Sequence, residues 1–440
     1  MSKSPGRPAS VGNTFVNMAG ALSLEYAIFL CKQTDRHGVE ATLVGLMTYS
    51  FIITMLEIVF LRTPAKPENG LDFRRFSPSL SRIFFKLVGI AACYGTVIYL
   101  YWLFPEYHGN MLFNPNFDGF YVPFGDAAQL MLPLIAVLAV PYVAVMDAVM
   151  LEPEDRFCQL GRLLLRQKHN MTRKALAQMF WSWVARGYFV ALLFVYADRA
   201  FNAMIDFDFD AVQGTAQFYS LCYQMVVALG MMIAVSGNMV TLRLMGTHVR
   251  SVDPYLSGWL ICLFCFQPFK SFVNDYVAPR GPEDSWIQAL AQNPVMLNVW
   301  AGLLIVTLAG SLMADISLGA RFSYLQHRGI VTRGMYRFSK HPSYVLTWVQ
   351  FLLIYFPLFA FQETEDIYKA FIALAGLGLM YWLRAFTEER HLSRDPVYVQ
   401  YALWMNEHGA LRWVGNWLPA LRYRPPAHVA PQDKPYEGIR

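Results

Sequence analysis

Apolar runs long enough to cross a bilayer return along most of this chain, and no other feature narrows its fold as much. A transmembrane helix needs about 20 mostly apolar residues. Ten segments meet or approach that length: 15–31, 42–60, 83–104, 127–151, 180–200, 217–242, 257–270, 295–320, 343–361 and 367–385. Only 15% of the residues are charged, against about 25% in an ordinary soluble domain. Inside lipid the backbone must satisfy its own hydrogen bonds, which leaves helices or closed barrels. The continuous apolar runs select helices. The pattern therefore predicts an all-α fold, a polytopic integral-membrane bundle of about ten transmembrane helices.

The loops carry a charge alternation that orients the bundle. Loop 61–82 holds Arg62, Lys66, Arg74, Arg75 and Arg82. Loop 152–179 holds Arg156, Arg162, Arg166, Lys168, Arg173 and Lys174, and loop 321–342 holds Arg321, Arg328, Arg333, Arg337 and Lys340. Between them lie acidic loops, with Glu106, Asp118 and Asp126 in 105–126, Asp206, Asp208 and Asp210 in 201–216, and Glu363, Glu365 and Asp366 in 362–366. Lys and Arg concentrate in cytoplasmic loops, so both termini are expected in the cytoplasm. The net charge of +5 sits in these loops and points to membrane topology, not to nucleic-acid binding. The first fourteen residues are polar and no small-residue cleavage site follows a short apolar run, so no cleavable signal peptide is expected.

Other motifs are quieter. Most of the six cysteines lie in apolar segments and read as small buried hydrophobes. The Cys262-x-x-Cys265 pair sits inside "LICLFCF", without a redox-fold context. "DFDFD", 206–210, lacks the Gly and terminal Glu of a calcium loop, and no zinc spacing, P-loop or G-x-S-x-G is present. No metal is expected. No repeat of 20–50 residues is visible.

Two stretches carry chemistry. In "GMYRFSKHPSYVL", 334–346, Arg337, Lys340 and His341 run into Pro342. A residue before proline is pushed out of the α region, and proline suits a first helical turn. A helix is expected to begin here, with unpaired amides and a positive dipole end that favour an anion. In "RAFTEERHLSRDPVYVQYALW", 384–404, Arg384, Glu388 and His391 share one helical face, with Glu389 beside them. Two adjacent carboxylates where a helix leaves the membrane are costly unless they face polar partners. Tyr398 and Tyr401 follow on one amphipathic face. Lying at the ends of consecutive helices, the basic elbow and the acidic pair are expected to face one another. Together they offer anion and cation sites suited to a zwitterion with a ribose. The bland readings are an interfacial anchor for the elbow and an aromatic belt for the tail.

These residues bring a family into view. "VTRGMYRFSKHPSY", 331–344, resembles the G-x-Y-x-x-x-R-H-P-x-Y stretch of the isoprenylcysteine carboxyl methyltransferase and phospholipid methyltransferase superfamily. "EERHLSRDPVYVQY", 388–401, looks like its E-E-x-x-L and Y-x-x-Y stretch. About forty-five residues separate the two, again as in the family, and the resemblance covers roughly 295–424. It implies S-adenosyl-L-methionine enclosed by helices and tail at the cytoplasmic face, with methyl transfer to a lipophilic or lipid-linked acceptor arriving from the membrane. It implies that Tyr336, His341, Pro342 and Tyr344 line the cofactor pocket, that Glu388 and Glu389 hold cofactor polar groups, and that Tyr398 and Tyr401 close it. Arg337, Lys340 and Arg384 complete the candidate cofactor-binding set. Lys340 stands where the family usually has Arg, and Val345-Leu346 follows Tyr344 where a Gly is common.

The chain thus divides into 1–290, about seven helices of unassigned role, a methyltransferase-like core at 291–424, and a Pro-rich tail at 425–440 expected to be disordered. Five charges fall inside the spans, Glu57, Lys86, Asp147, Arg186 and Asp315, at similar depth near the cytoplasmic side. They suggest a polar chamber for a lipid headgroup, against structural ion pairs and snorkelling as the plainer reading. Two other functions fit less of the sequence. A sterol-reductase-like NADPH-dependent oxidoreductase would share the H-P-x-Y stretch. A non-enzymatic transporter or receptor would explain the charges in the spans.

Overall fold

The computed structural model describes residues 6–104, 120–267, 269–270, 285–357 and 364–425. The chain folds into α1 (Thr14–Gln33), α2 (Gly38–Val59), α3 (Leu80–Leu103), α4 (Val122–Val149), α5 (Arg156–Leu164), α6 (Arg173–Ile205) and α7 (Thr215–Met239). There follow α8 (Leu256–Leu263), α9 (Ser285–Leu290), α10 (Pro294–Leu318), α11 (Pro342–Tyr355), α12 (Thr364–Leu392), α13 (Pro396–His408) and α14 (Arg412–Trp417). Among the described residues the sheet is one antiparallel ribbon, β1 (Ser251–Val252) on β2 (Gln326–His327).

Seven helices among the described residues are long and apolar enough to cross a membrane: α1 to α4, α6, α7 and the stretch Pro294–Arg321 that contains α10. This is a multi-pass helical membrane protein. The other three expected spans fare differently. Segment 257–270 holds the eight-residue α8, by itself too short for a core of about 30 Å, and further helical residues at 269–270, with residue 268 outside the described residues. Segment 343–361 begins with the fourteen residues of α11, and its end lies outside the described residues. Segment 367–385 lies within the 29-residue α12. Glu106, Asp118 and Glu363 of the acidic loops, and 426–440 of the tail, also lie outside the described residues.

Sequence sets these elements locally. The Asn13 carboxamide accepts from the Phe15 amide at 2.9 Å and starts α1, as side-chain caps do. Pro294 and Pro342 occupy the first turns of α10 and α11. Leu24, Ile53, Phe201 and Met232 are fully buried where α1, α2, α6 and α7 meet. Ile316, Ala320 and Phe322 join this same core. On α3 the polarity is inverted: its buried residues are Lys86 and Gly89, while Tyr99, Trp102 and Leu103 face outward. An apolar exterior suits a helix solvated by lipid. The short α5 crosses α3 through Gly89 and Gly161, whose Cα atoms pass so near Phe157 and Phe85 carbonyls that no Cβ fits.

Contacts assign the helix ends to two faces. Lys32 Nζ donates to Ile205 O at 3.1 Å, joining the ends of α1 and α6. Thr215 Oγ1 donates to Asn298 Oδ1, joining the starts of α7 and α10 at that far face. On the near face, Arg243 donates to Asn69 O at 3.3 Å, and Val11 N to Ile330 O at 3.2 Å. Gln400 Nε2 donates to Gly6 O at 2.9 Å. The N-terminal segment therefore packs on α13, and both ends of the described chain lie on one face. The β1–β2 ribbon ties the loop after α7 to the loop after α10 on this face.

Candidate functional site

The site is built where the loop after α10 turns into α11. Gly334 has φ +62° and packs against the Ser317 side chain so closely that a Cβ there would collide, so only glycine serves well. The short helical turn Gly334–Arg337 follows. His341 then takes φ −131° and ψ 64° ahead of Pro342, and α11 begins as expected from the sequence.

The acidic pair at the end of α12 meets this elbow. His341 Nε2 donates to Glu389 Oε1 at 3.1 Å, and Lys340 Nζ approaches the same oxygen at 2.6 Å. Burial pushes the Glu389 carboxyl up, but the hydrogen bond and charge of His341, together with Lys340, outweigh it and hold the group below its ordinary value. Lys340 and His341 are thus engaged inside the protein, by a carboxylate that also faces the positive end of α11. Glu389, Lys340 and His341 form a latch closed through the Oε1 oxygen of Glu389.

Glu388 differs. Its Oε2 accepts from Tyr344 OH at 2.8 Å and lies 3.8 Å from His341 Nδ1, with 44% of the side chain exposed. Tyr344 stacks parallel to His341, with centroids 5.4 Å apart, and meets Tyr381 at 6.0 Å. One helical turn before Glu388 lies Arg384, 8% exposed. Its guanidinium lies 5.0 Å from the ring of Tyr324, 5.2 Å from Tyr344 and 5.5 Å from Phe266. Among the described residues no carboxylate forms an ion pair with it. Tyr336 closes the side toward the elbow: burial pushes its phenol well above the ordinary value, and the neighbouring charges of Glu388 and Asp315 push the same way.

Tyr398 and Tyr401 do something else than line a pocket rim. Tyr401 OH donates to Tyr336 O at 2.6 Å and holds the elbow to α13. Tyr398 is buried against Tyr401 and Tyr423, and its hydroxyl is buried without a hydrogen-bond partner. Arg337 points away: it is exposed and stacks on Phe338 at 5.3 Å. Pro342 is buried at the start of α11.

The five charges in the spans each have their own surroundings. Glu57 pairs with Arg321 at 2.8 Å and accepts from Thr63 Oγ1. Asp147 pairs with Lys86 at 2.8 Å and Arg82 at 3.0 Å. Arg186 stacks on Trp183, and Asp315 lies beside Gly230. Two of the loop cations counted for topology are also buried: Arg321 pairs with Glu57, and Arg328 donates to Gly237 O and to Gln326 Oε1 at 3.1 Å. Their loop positions gave no signal of this, since Glu57 and Gly237 are far off in sequence. The stretch also hides Tyr324 and a second group, His391 Nε2 with Ser251 Oγ at 3.0 Å and His327 near Asp395 at 3.4 Å. Burial, with nearby cations, lowers His391 to about 3 and His327 to about 4.

No protein-family model, no curated protein and no solved structure matches this chain.

Proposed function

We propose that the chain is an integral-membrane methyltransferase that binds S-adenosyl-L-methionine between Arg384 and Glu388 and methylates a lipophilic or lipid-linked acceptor. One observation carries this reading. On one face of α12, a largely buried guanidinium without a carboxylate partner precedes, by one turn, a half-exposed carboxylate with one oxygen free of hydrogen bonds. A zwitterionic ligand satisfies both at once. Arg384 would hold the carboxylate, and Glu388 the ammonium or ribose hydroxyls. A buried, unpaired cation is costly, so the donor set fits the cofactor. When bound, the cofactor supplies a methyl group on a sulfonium, which leaves as a neutral thioether.

The chain's own residues then position and exclude water. Tyr344 is fixed by Glu388 and by His341, and His341 is fixed by Glu389. Tyr336 is held by Tyr401. Glu389 is assigned to holding the elbow, not to touching the ligand.

The same reading places ten crossings. α7 ends on the near face and α10 starts on the far one, which fits an odd number of crossings between them. Trp300 Nε1, early in α10, donates to Leu353 O at 2.6 Å, which sets the end of α11 toward the far face. α12 then returns to the elbow. Exposed Arg62, Arg74, Arg75, Arg156, Lys168, Arg173, Lys174 and Arg333 on near-face loops favour the cytoplasm for this face, and with it the site.

Titration calorimetry of the detergent-purified protein with S-adenosylhomocysteine tests the assignment. Binding should be lost or fall at least tenfold in Arg384→Met and in Glu388→Gln. Unchanged affinity in both would remove the site from Arg384 and Glu388.

A further inference from the structure

A second unpaired arginine lies far from the elbow in the chain. Arg186 sits on α6, one turn deeper into the bundle than Ser182, whose carbonyl takes Gln326 Nε2 at 2.9 Å. It lines a cavity of about 140 Å³ between α3, α4 and α6 that opens outward. The walls are apolar, with Val97, Phe124 and Met131 among them, and Ile98 and Ile135 stand at exposed positions on its border. The opening is therefore on the lipid-facing surface.

Among the described residues, Arg186 is the one charged residue lining this space. Its guanidinium lies 4.6 Å from the centre of the Trp183 ring, and its Nε is buried without a hydrogen-bond partner. Among the described residues no carboxylate pairs with it. Its charge is felt across the packing by another cation, Arg328, which is 2% exposed and bonded to neutral oxygens. Two guanidinium groups within electrostatic reach, both desolvated and neither neutralised, form an expensive arrangement inside a membrane. An anion at Arg186 relieves it. The apolar walls exclude a hydrated ion, so the anion must bring its own apolar part.

We propose that this cavity binds an anionic phospholipid, with its headgroup phosphate on Arg186 and an acyl chain along α3 and α4. The site does not depend on the cofactor reading.

The test compares melting of the full chain in detergent with dioleoylphosphatidylglycerol, with dioleoylphosphatidylcholine and with inorganic phosphate, for wild type and Arg186→Met. Phosphatidylglycerol should raise the wild-type melting temperature by several degrees, with little effect from the other two. Arg186→Met should lose that increment, yet melt no lower than wild type without lipid, because it removes a buried charge. An equal rise with phosphatidylcholine would overturn the charge reading. A rise with phosphate alone would make this a free-anion site and overturn the lipid. A retained increment in Arg186→Met would move the lipid elsewhere. If that variant does not fold, native mass spectrometry of wild type from a mixture of the two lipids decides: preferential retention of phosphatidylglycerol supports the site, and equal retention overturns it.

Discussion

His341 and Glu389 meet at 3.1 Å although 48 positions separate them in the chain. His341 caps the start of α11 and Glu389 lies near the end of α12, so their contact ties these two helix ends together. Lys340 shares the same carboxylate oxygen. This latch holds the ring of Tyr344 in place and with it one wall of the candidate site.

The latch predicts that neighbouring carboxylates respond differently. Glu389→Gln leaves Lys340 and His341 without an anionic acceptor, and should destabilise the protein by about 1–3 kcal/mol. Glu388→Gln, on the half-exposed neighbour, should melt close to wild type while weakening S-adenosylhomocysteine. Thermal melts of the two single variants check the contrast. Equal losses of stability would mean that the pair acts as one structural unit.

The buried ion pair between Glu57 and Arg321 supports a second prediction. Arg321→Gln leaves Glu57 buried with its main partner gone, which costs about 3–5 kcal/mol in such settings. Glu57→Gln combined with Arg321→Met should recover much of that loss. Melting temperatures of the two variants and wild type form the test, and a double variant no better than Arg321→Gln would deny the coupling.

Stability should also fall as the solution is acidified below neutrality. His391 and His327 ordinarily titrate near 6.5, but are lowered to about 3 and about 4 in the folded chain. Below pH 6.5 the unfolded chain binds protons that the folded chain refuses, so stability is full above that value and declines toward pH 4. Each histidine contributes a slope of about 1.4 kcal/mol per pH unit. Glu389 acts in another window: its lowered carboxyl contributes above its ordinary value of 4.5 and is lost below it. Melting from pH 7.5 to 5 should therefore be flatter in His391→Gln than in wild type, and an unchanged slope would mean that His391 is not held neutral.

The crossing of α5 over α3 rests on two glycines. Gly161→Ala places a methyl group on the Phe85 carbonyl, and backbone must move to admit it. The variant should lose about 1–3 kcal/mol, read as a lower melting temperature. A melt within error of wild type would show that the crossing adjusts freely.

How far the sequence could be read depends on the range of the forces involved. The helices α1 to α4, α6, α7 and α10 were legible because hydropathy over about 20 residues decides them. The start of α11 was legible because His341-Pro342 is a local steric matter. That the elbow faces the acidic pair followed from consecutive helices. The closure of Lys340 and His341 on Glu389, leaving Glu388 as the open carboxylate, was not legible: adjacent residues of one type differ only through tertiary packing. Nor was the burial of Arg321, whose partner Glu57 lies 264 positions away. Arg328 reads as one more loop cation until the ribbon pulls it under α7. The break after Leu263 in the apolar run at 257–270 was not legible, since composition alone does not show where a helix stops.

The most direct test of the central claim is the melting temperature of the detergent-purified protein with S-adenosylhomocysteine and, separately, with NADPH. A ligand that binds only the folded state stabilises it by about 2.7 kcal/mol at a hundredfold excess over its dissociation constant. The account predicts a rise with S-adenosylhomocysteine and none with NADPH. A rise with NADPH alone, or with neither, would contradict it.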